Sequence, residues 1–515
     1  MLFNSYEFLC FFFPLTCAGF FALCGRGWTR AAAGWLGLMS IVFYGYWSPR
    51  YVLLLLASIV VNFFLGQLLL RCRAGESRLQ AKHVLSAAVA ANLATLAYFK
   101  YANFFVDSLR QASGLDVQLA PIVLPIGISF FTFTQIAFLV DTYQGKVREA
   151  RFVPYLLFVS YFPHLVAGPV LHHAEMMPQF RKAETYRFRI DNVVSGMTLL
   201  GIGLFKKVIL ADGIQPFVAP AFDGPASQLL TGFEAWGAVL AYSLQLYFDF
   251  SGYSDMAIGL SRVFNVELPL NFESPYKARN ISEFWRRWHM TLSRFLRDYL
   301  YFPLGGNRHG KTRRYVNLMV TMLLGGLWHG AAWTFVIWGG LHGVYLVINH
   351  AWQAAAGRIA GSSRWLDSRL ATAAGVLVTF VAVTLAWTFF RATSLDAALR
   401  MLTAMSGANG WVLPTEWKGA LDAALGAAAG GLRFDDLTAF AGARQVGWIA
   451  ALLAMAWFCP NSQQIMAALG RVRLLDVRIR ATLGWSAFGA LAASVMLLAI
   501  VSASRGTSEF IYFNF

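Results

Sequence analysis

The chain reads as an all-α polytopic integral membrane protein, and three observations carry that reading. Hydrophobic residues make up 57% of its 515 positions and charged residues only 13%, against roughly 25% charged in an ordinary soluble chain. Mean hydropathy is +0.53. Apolar runs of about the 17 to 25 residues that a bilayer core demands recur along the whole length.

Taken in order, these runs lie near 6–24, 31–48, 51–70, 84–105, 121–141, 152–171, 193–212, 235–260, 315–328, 331–352, 370–390, 444–459 and 481–503. Several are short or interrupted, so roughly eleven to thirteen spans are expected, re-entrant pieces included. The first run has neither a basic leader nor a small-residue cleavage site and is expected to be a retained span. No repeat of fixed period is visible, and the weakly apolar insert at 392–443 reads as an external loop or a re-entrant hairpin. The chain is therefore expected to form one integral domain over 1–515, with its core motifs in 245–350 and an aromatic tail in 505–515.

A net charge of +16 would suggest nucleic acid in a soluble protein. Here the basic residues sit in alternate connections: Arg26 and Arg30, then Arg71, Arg73, Arg78 and Lys82, then Lys146, Arg148 and Arg151. The positive-inside rule explains that alternation, so the expected neighbours are membrane lipids and no nucleic acid partner is implied. Arg471, Arg473, Arg478 and Arg480 place the start of the last run on the cytoplasmic side, which puts Arg505 to Phe515 outside. The five cysteines, Cys10, Cys17, Cys24, Cys72 and Cys459, show neither metal-ligand nor disulfide spacing and read as packing residues.

The stretch LLGGLWHGAAWTFVIWGGLHG places His329 inside an apolar run, flanked by Gly325, Gly326 and Gly330. An ionisable group at that depth costs several kcal/mol unless something uses it, which makes it a functional-site candidate. The flanking glycines let a neighbouring backbone or a substrate approach closely. The least lipid-like segment runs from Asn265 to Tyr315 and interleaves basic and aromatic residues. Within it Ser282 to Tyr301 has amphipathic helical spacing, with Ser282 as a cap. Its arginines Arg286, Arg287 and Arg294 either snorkel to headgroups or attract a phosphate-bearing donor.

His289, in the same helix, reads as interfacial by itself; paired with His329 it supplies an orienting partner for a base. The two lack zinc-type spacing, and no metal is expected. Asp249, Ser254 and Asp255, with Ser251 beside them, either line a tunnel or form a hydrogen-bonded packing network, the second being favoured. His164 and His342 read as packing or supporting groups, and His172, His173, His309 and His350 as interfacial.

These motifs, QLYFDFSGYSDMAIGLSRVFNVELPLNFESPY, ISEFWRRWHMTLSRFLRDYLYFPLGGNR and LLGGLWHGAAWTFVIWGGLHG, with YFKYANFF, LPIGISFFTF and YFPHLVAGPV upstream, resemble the membrane-bound O-acyltransferase superfamily. Within it they resemble the bacterial branch of alginate O-acetyltransferase membrane subunits. The likeness covers roughly 1–400 and is weaker in the last hundred residues. It implies a ring of tilted helices around a thinned centre with a tunnel. His329 and His289 fall on the family's two histidines and are implied as catalytic.

The chain ends SEFIYFNF, which resembles the aromatic C-terminal motif on the small membrane partner of teichoic acid D-alanylation. That likeness implies an acyl-carrying tyrosine, here Tyr512; the plain reading is an interface anchor. The function so implied is acyl transfer from a cytosolic thioester, acetyl-CoA or another, with no bound cofactor. The acyl group passes across a bacterial inner membrane, by way of Tyr512 or directly, to a periplasmic acetyltransferase partner and a polysaccharide acceptor. D-alanyl transfer is the alternative within this class; a transporter or a secretion scaffold is the alternative outside it.

Overall fold

The computed structural model describes residues 1–114, 119–147, 150–166, 168–225, 227–359, 368–425, 432–472 and 510–511. The expected span at 481–503, the basic residues Arg148, Arg473, Arg478 and Arg480, and Tyr512 lie outside the described residues.

The described chain is helical almost throughout. In order, the principal helices are α1 (Phe13–Gly25), α2 (Thr29–Trp47), α3 (Val52–Ala74), α4 (Ala81–Leu96), α5 (Ile128–Tyr143), α6 (Phe152–Ser160), α7 (Ile190–Leu204) and α8 (Gly232–Val263). They continue as α9 (Ile281–Arg287), α10 (Met290–Leu296), α11 (Gly310–His329), α12 (Trp333–Ile359), α13 (Arg369–Arg391), α14 (Leu395–Met405), α15 (Gly442–Phe458) and α16 (Ser462–Val472). Five helical stretches among the described residues are long and apolar enough to cross a membrane, by length and composition. The apolar composition therefore becomes membrane-length helix, as a bilayer requires of a backbone that has no water to bond.

Other expected runs are broken. The run at 152–171 holds α6 and a four-residue helix from Phe162 to Leu165, and Pro163 at that second start lacks the N–H that helix continuity needs. The insert at 392–443 folds as α14, a helix from Lys418 to Leu425, and two short parallel strands, Val412–Pro414 and Arg433–Asp435.

The residues group into two compact units, and α8 contributes its part up to Phe250 to one and its part from Ser251 to the other. The first unit holds α1 to α7, the segment Ser251–Asn271 and the chain from Ser462. Polar side chains tie its helices together: Asn62 and Asn92 exchange side-chain hydrogen bonds at 3.1 and 2.7 Å, and both Ser58 and Asn62 donate to Gln135. Between helices in an apolar medium such bonds contribute on the order of 1 kcal/mol each. A second polar knot corrects a sequence expectation. His173 is not interfacial; it is buried, with its Nδ1 2.8 Å from Asp141, which also receives Lys146 at 3.0 Å.

The second unit spans Lys206–Phe250 and Phe272–Asn461 and carries both candidate histidines. Its centre is the crossing of α11 and α12. A Cβ on Gly326 would strike the carbonyl oxygen of Phe335, and one on Gly339 the carbonyl oxygen of Met322. The two backbones thus meet where neither has a side chain, the small-residue packing expected of membrane helices. Gly330, just past α11, leaves room for the Phe335 ring. Of the two uses for these glycines left open by the sequence, Gly326 and Gly330 serve packing.

Candidate active site

The expected helix from Ser282 to Tyr301 is three pieces: α9, α10 and a π-helical turn at Arg297–Tyr301. Its cap is Asn280, whose side chain accepts the Glu283 N–H at 2.9 Å, while Glu283 in turn accepts the Arg279 N–H at 2.9 Å. The first bond satisfies one orphan N–H of the first turn, and the second ties the residue before the cap to the helix. Ser282 instead accepts a hydrogen bond of 2.8 Å from Asn349 on α12.

The break between α9 and α10 falls on His289, which stands at φ +43°, ψ +53°. A non-glycine residue there costs of order 1–3 kcal/mol and persists only where its surroundings fix it. The surroundings do: the His289 ring is fully buried and meets Phe250 edge-on at 4.8 Å, and its carbonyl accepts the Ser293 N–H that opens α10. A regular helix through this point would send the imidazole along the helical face; the left-handed residue turns it inward.

His329 is the last residue of α11 and is 4% exposed. Trp338 and Phe390 meet its ring edge-on at 5.0 and 5.3 Å, one from α12 and one from the end of α13. Its ring centre is 6.4 Å from that of His289. The two histidines singled out in the sequence are therefore neighbours in one buried aromatic cluster of the second unit.

The remaining predicted residues are distributed differently. Arg286 is exposed and Arg294 half-buried. Arg287 pairs with Glu283 Oε1 at 2.7 Å and donates to the Glu273 carbonyl at 3.3 Å. Burial pushes the Glu283 carboxyl up, but the Arg279 amide and the Arg287 and Arg279 guanidiniums outweigh it and hold its pKa below the ordinary carboxylate value. Asp249, fully buried in the second unit, faces Lys207 at 2.7 Å. Ser254 and Asp255 belong to the first unit, where they accept hydrogen bonds from Asn271 and Ser462 respectively. Of the aromatic tail, Phe510 is 1% exposed and stacks on Tyr253 at 4.4 Å within the first unit. His342 is wholly buried and lies 4.8 Å from Trp338, ring to ring.

Lys207 was missed by the sequence reading. It is 3% exposed, lies in a π-helical turn at Phe205–Ala211 and reaches both Asp249 and Asp212, the latter at 2.9 Å. A lysine inside the apolar run 193–212 was the available signal, since an intramembrane cation needs a partner. The ring neighbours of His329 carried no signal, because aromatics are frequent throughout the chain.

Comparison with known proteins identifies the family. The profile of MBOAT, the membrane-bound O-acyltransferase family, matches residues 41–360. The peptidoglycan O-acetyltransferase of Helicobacter pylori is 42% identical over 436 residues, 80% of each chain. The probable alginate O-acetylase AlgI of Pseudomonas aeruginosa is 41% identical over 420 residues, 80% of this chain and 76% of that one. More distant is the teichoic acid D-alanyltransferase of Streptococcus thermophilus, 27% identical over 280 residues, 52% of this chain and 68% of that one. With two buried histidines meeting in a multi-pass helical protein and these likenesses, the chain belongs to the membrane-bound O-acyltransferase family and is an O-acyltransferase of the membrane.

Proposed function

We propose that the protein takes an acetyl group from a cytosolic thioester, acetyl-CoA foremost, and delivers it across a bacterial inner membrane for O-acetylation of a polysaccharide outside. The observation that carries this reading is that His289 and His329 are buried side by side, their ring centres 6.4 Å apart. The higher identity to O-acetylating relatives than to the D-alanyltransferase favours acetyl over D-alanyl.

The chemistry follows from proton bookkeeping. A hydroxyl attacks the thioester carbonyl while an imidazole nitrogen of His329 takes its proton; the C–S bond then breaks and the thiolate leaves with that proton. His289 holds the donor or the His329 ring in place. The attacking hydroxyl belongs to Tyr512, as a transient carrier, or to the acceptor; a phenol with a pKa of about 10 needs such a base at neutral pH. An aryl ester is the more reactive acyl donor, which suits an intermediate passed on to a periplasmic transferase partner.

The test is thioester cleavage by the purified, full-length protein. Wild type is expected to release free thiol from acetyl-CoA, and correctly inserted His329→Ala to release none above background. Near-normal release by His329→Ala removes the base assignment. No release by wild type, with or without an acceptor, removes the reaction.

A further inference from the structure

Near the end of the chain Phe510 is 1% exposed. That burial bears on the interface-anchor reading of the aromatic tail. An interface anchor leaves its ring among headgroups; the Phe510 ring is instead enclosed by protein. Lipid tails are as apolar as any side chain, so a phenyl ring gains little by leaving lipid unless the protein offers a shape that fits it.

The shape is a slot of rings. Phe510 stacks on Tyr253 of α8 with centroids 4.4 Å apart and planes inclined by 24°, and Phe3 stacks on the same ring at 4.7 Å and 19°. Two rings cannot both lie that close on one face, so Phe3 and Phe510 take opposite faces of Tyr253. Tyr253 is 3% exposed and Phe3 1%. Phe3 is held in turn by Phe8 at 5.0 Å and by Phe43 of α2 at 5.7 Å, and its neighbours Leu2 and Asn4 are buried. All of these residues belong to the first unit. The platform for Phe510 is thus built from α8 and the first residues of the chain. Chain ends are loosely held unless something ties them down, and here one tyrosine ties both.

Tethering at Phe510 has a consequence for the residue two positions on. Consecutive residues advance by at most about 3.6 Å, so the Tyr512 Cα stays within about 7 Å of the Phe510 Cα. A tail released from the slot explores a larger volume, and its effective concentration at a reaction partner falls accordingly.

We infer that Phe3 and Tyr253 form a slot for Phe510, and that seating Phe510 there positions the tail for Tyr512 to act as acyl carrier. This rests on the acyl-transfer reading with Tyr512 as its carrier. Phe3, Tyr253 and Phe510 are positioning residues: they act on the reaction only through the tail.

Two readouts on the full-length protein in detergent test this. The first is the rate at which carboxypeptidase Y removes C-terminal residues in the absence of donor, followed by mass spectrometry. Wild type and Tyr253→Phe are expected to resist. Phe510→Leu and Tyr253→Leu keep apolar bulk and lose a stacked ring, so they should be digested about fivefold faster. The second readout is the acetyl mass gained by the C-terminal peptide with acetyl-CoA. Its initial rate should fall by a similar factor in both leucine variants and hold in Tyr253→Phe. The KM for acetyl-CoA should not move, because the slot holds the tail and not the donor. Phe510→Leu lies near the end of the chain and serves alone if Tyr253→Leu fails to fold.

Equal digestion of wild type and Phe510→Leu overturns the slot. The two readings fail separately: a wild-type tail that is protected through Phe510 yet gains no acetyl mass keeps the slot and removes Tyr512 as carrier, whereas acetyl mass that forms at the wild-type rate in Phe510→Leu keeps the carrier and overturns the positioning.

Discussion

Gly326 on α11 and Gly339 on α12 face each other so closely that a Cβ on either would enter the other helix, and three residues past Gly326 stands His329. The crossing that packs these helices therefore also fixes where the imidazole sits.

Gly326→Ala is expected to push α11 and α12 apart, because the new Cβ meets the Phe335 carbonyl oxygen, a backbone atom that cannot swing away. Overpacking of this kind costs typically 1–3 kcal/mol. Thermal unfolding in detergent should show a lowered midpoint, with thioester cleavage falling further than the loss of folded protein explains. Unaltered stability and turnover would disconnect the crossing from the site.

For His289, substitution by Asn separates backbone from imidazole, since Asn tolerates the left-handed region that the turn requires. Turnover is expected to drop by about 10²-fold or more with little change in stability. His289→Leu should lose stability as well, because a branched apolar residue is strained at φ +43°. Full activity in His289→Asn would leave the residue a turn-former only.

Lys207→Met leaves Asp249 buried without its cation, and breaking a buried pair in this way costs about 3–5 kcal/mol. Adding Asp249→Asn to Lys207→Met should recover much of that loss, which a urea or heat denaturation series on the solubilised protein measures. No recovery in the double variant would mean that Lys207 answers chiefly to Asp212, its other carboxylate partner.

If the arginines of α9 and α10 draw in an anionic donor, replacing Arg286, Arg287 and Arg294 by Gln should raise the KM for acetyl-CoA, and added salt should raise it in wild type. Exposed Arg286 is expected to account for most of this, because Arg287 is already engaged by Glu283. A triple variant with the wild-type KM would leave membrane anchoring as their role. Glu283 has a depressed pKa, so whatever stability the pair adds is present above the ordinary carboxylate range and fades as pH falls through the lowered value.

Tyr512→Phe keeps the aromatic ring and removes the hydroxyl. An acyl relay predicts that polymer acetylation is lost and that a C-terminal peptide trapped with donor gains an acetyl mass in wild type only. Normal polymer acetylation by the variant would reduce the tail to a packing or anchoring segment; Phe510 packs against Tyr253.

Composition and periodicity determined that the chain is helical and membrane-embedded, because burying backbone in lipid leaves few alternatives to helix. They also made His329 legible, since an ionisable residue in an apolar run stands out without any knowledge of its neighbours. His289 was legible as a candidate, yet the sequence read it into a continuous helix; the left-handed turn between α9 and α10 that packs it against Phe250 belongs to the tertiary structure. Lys207 with Asp249, and His173 with Asp141, likewise needed three dimensions, because their partners are distant in sequence and any polar residue nearby is an equal candidate. The rings around His342 are the clearest case. Seventeen tryptophans give the sequence no means of choosing Trp285 and Trp338, since a tryptophan's contacts depend on which helix faces cross, and only the tertiary packing of α9, α12 and α13 decides that.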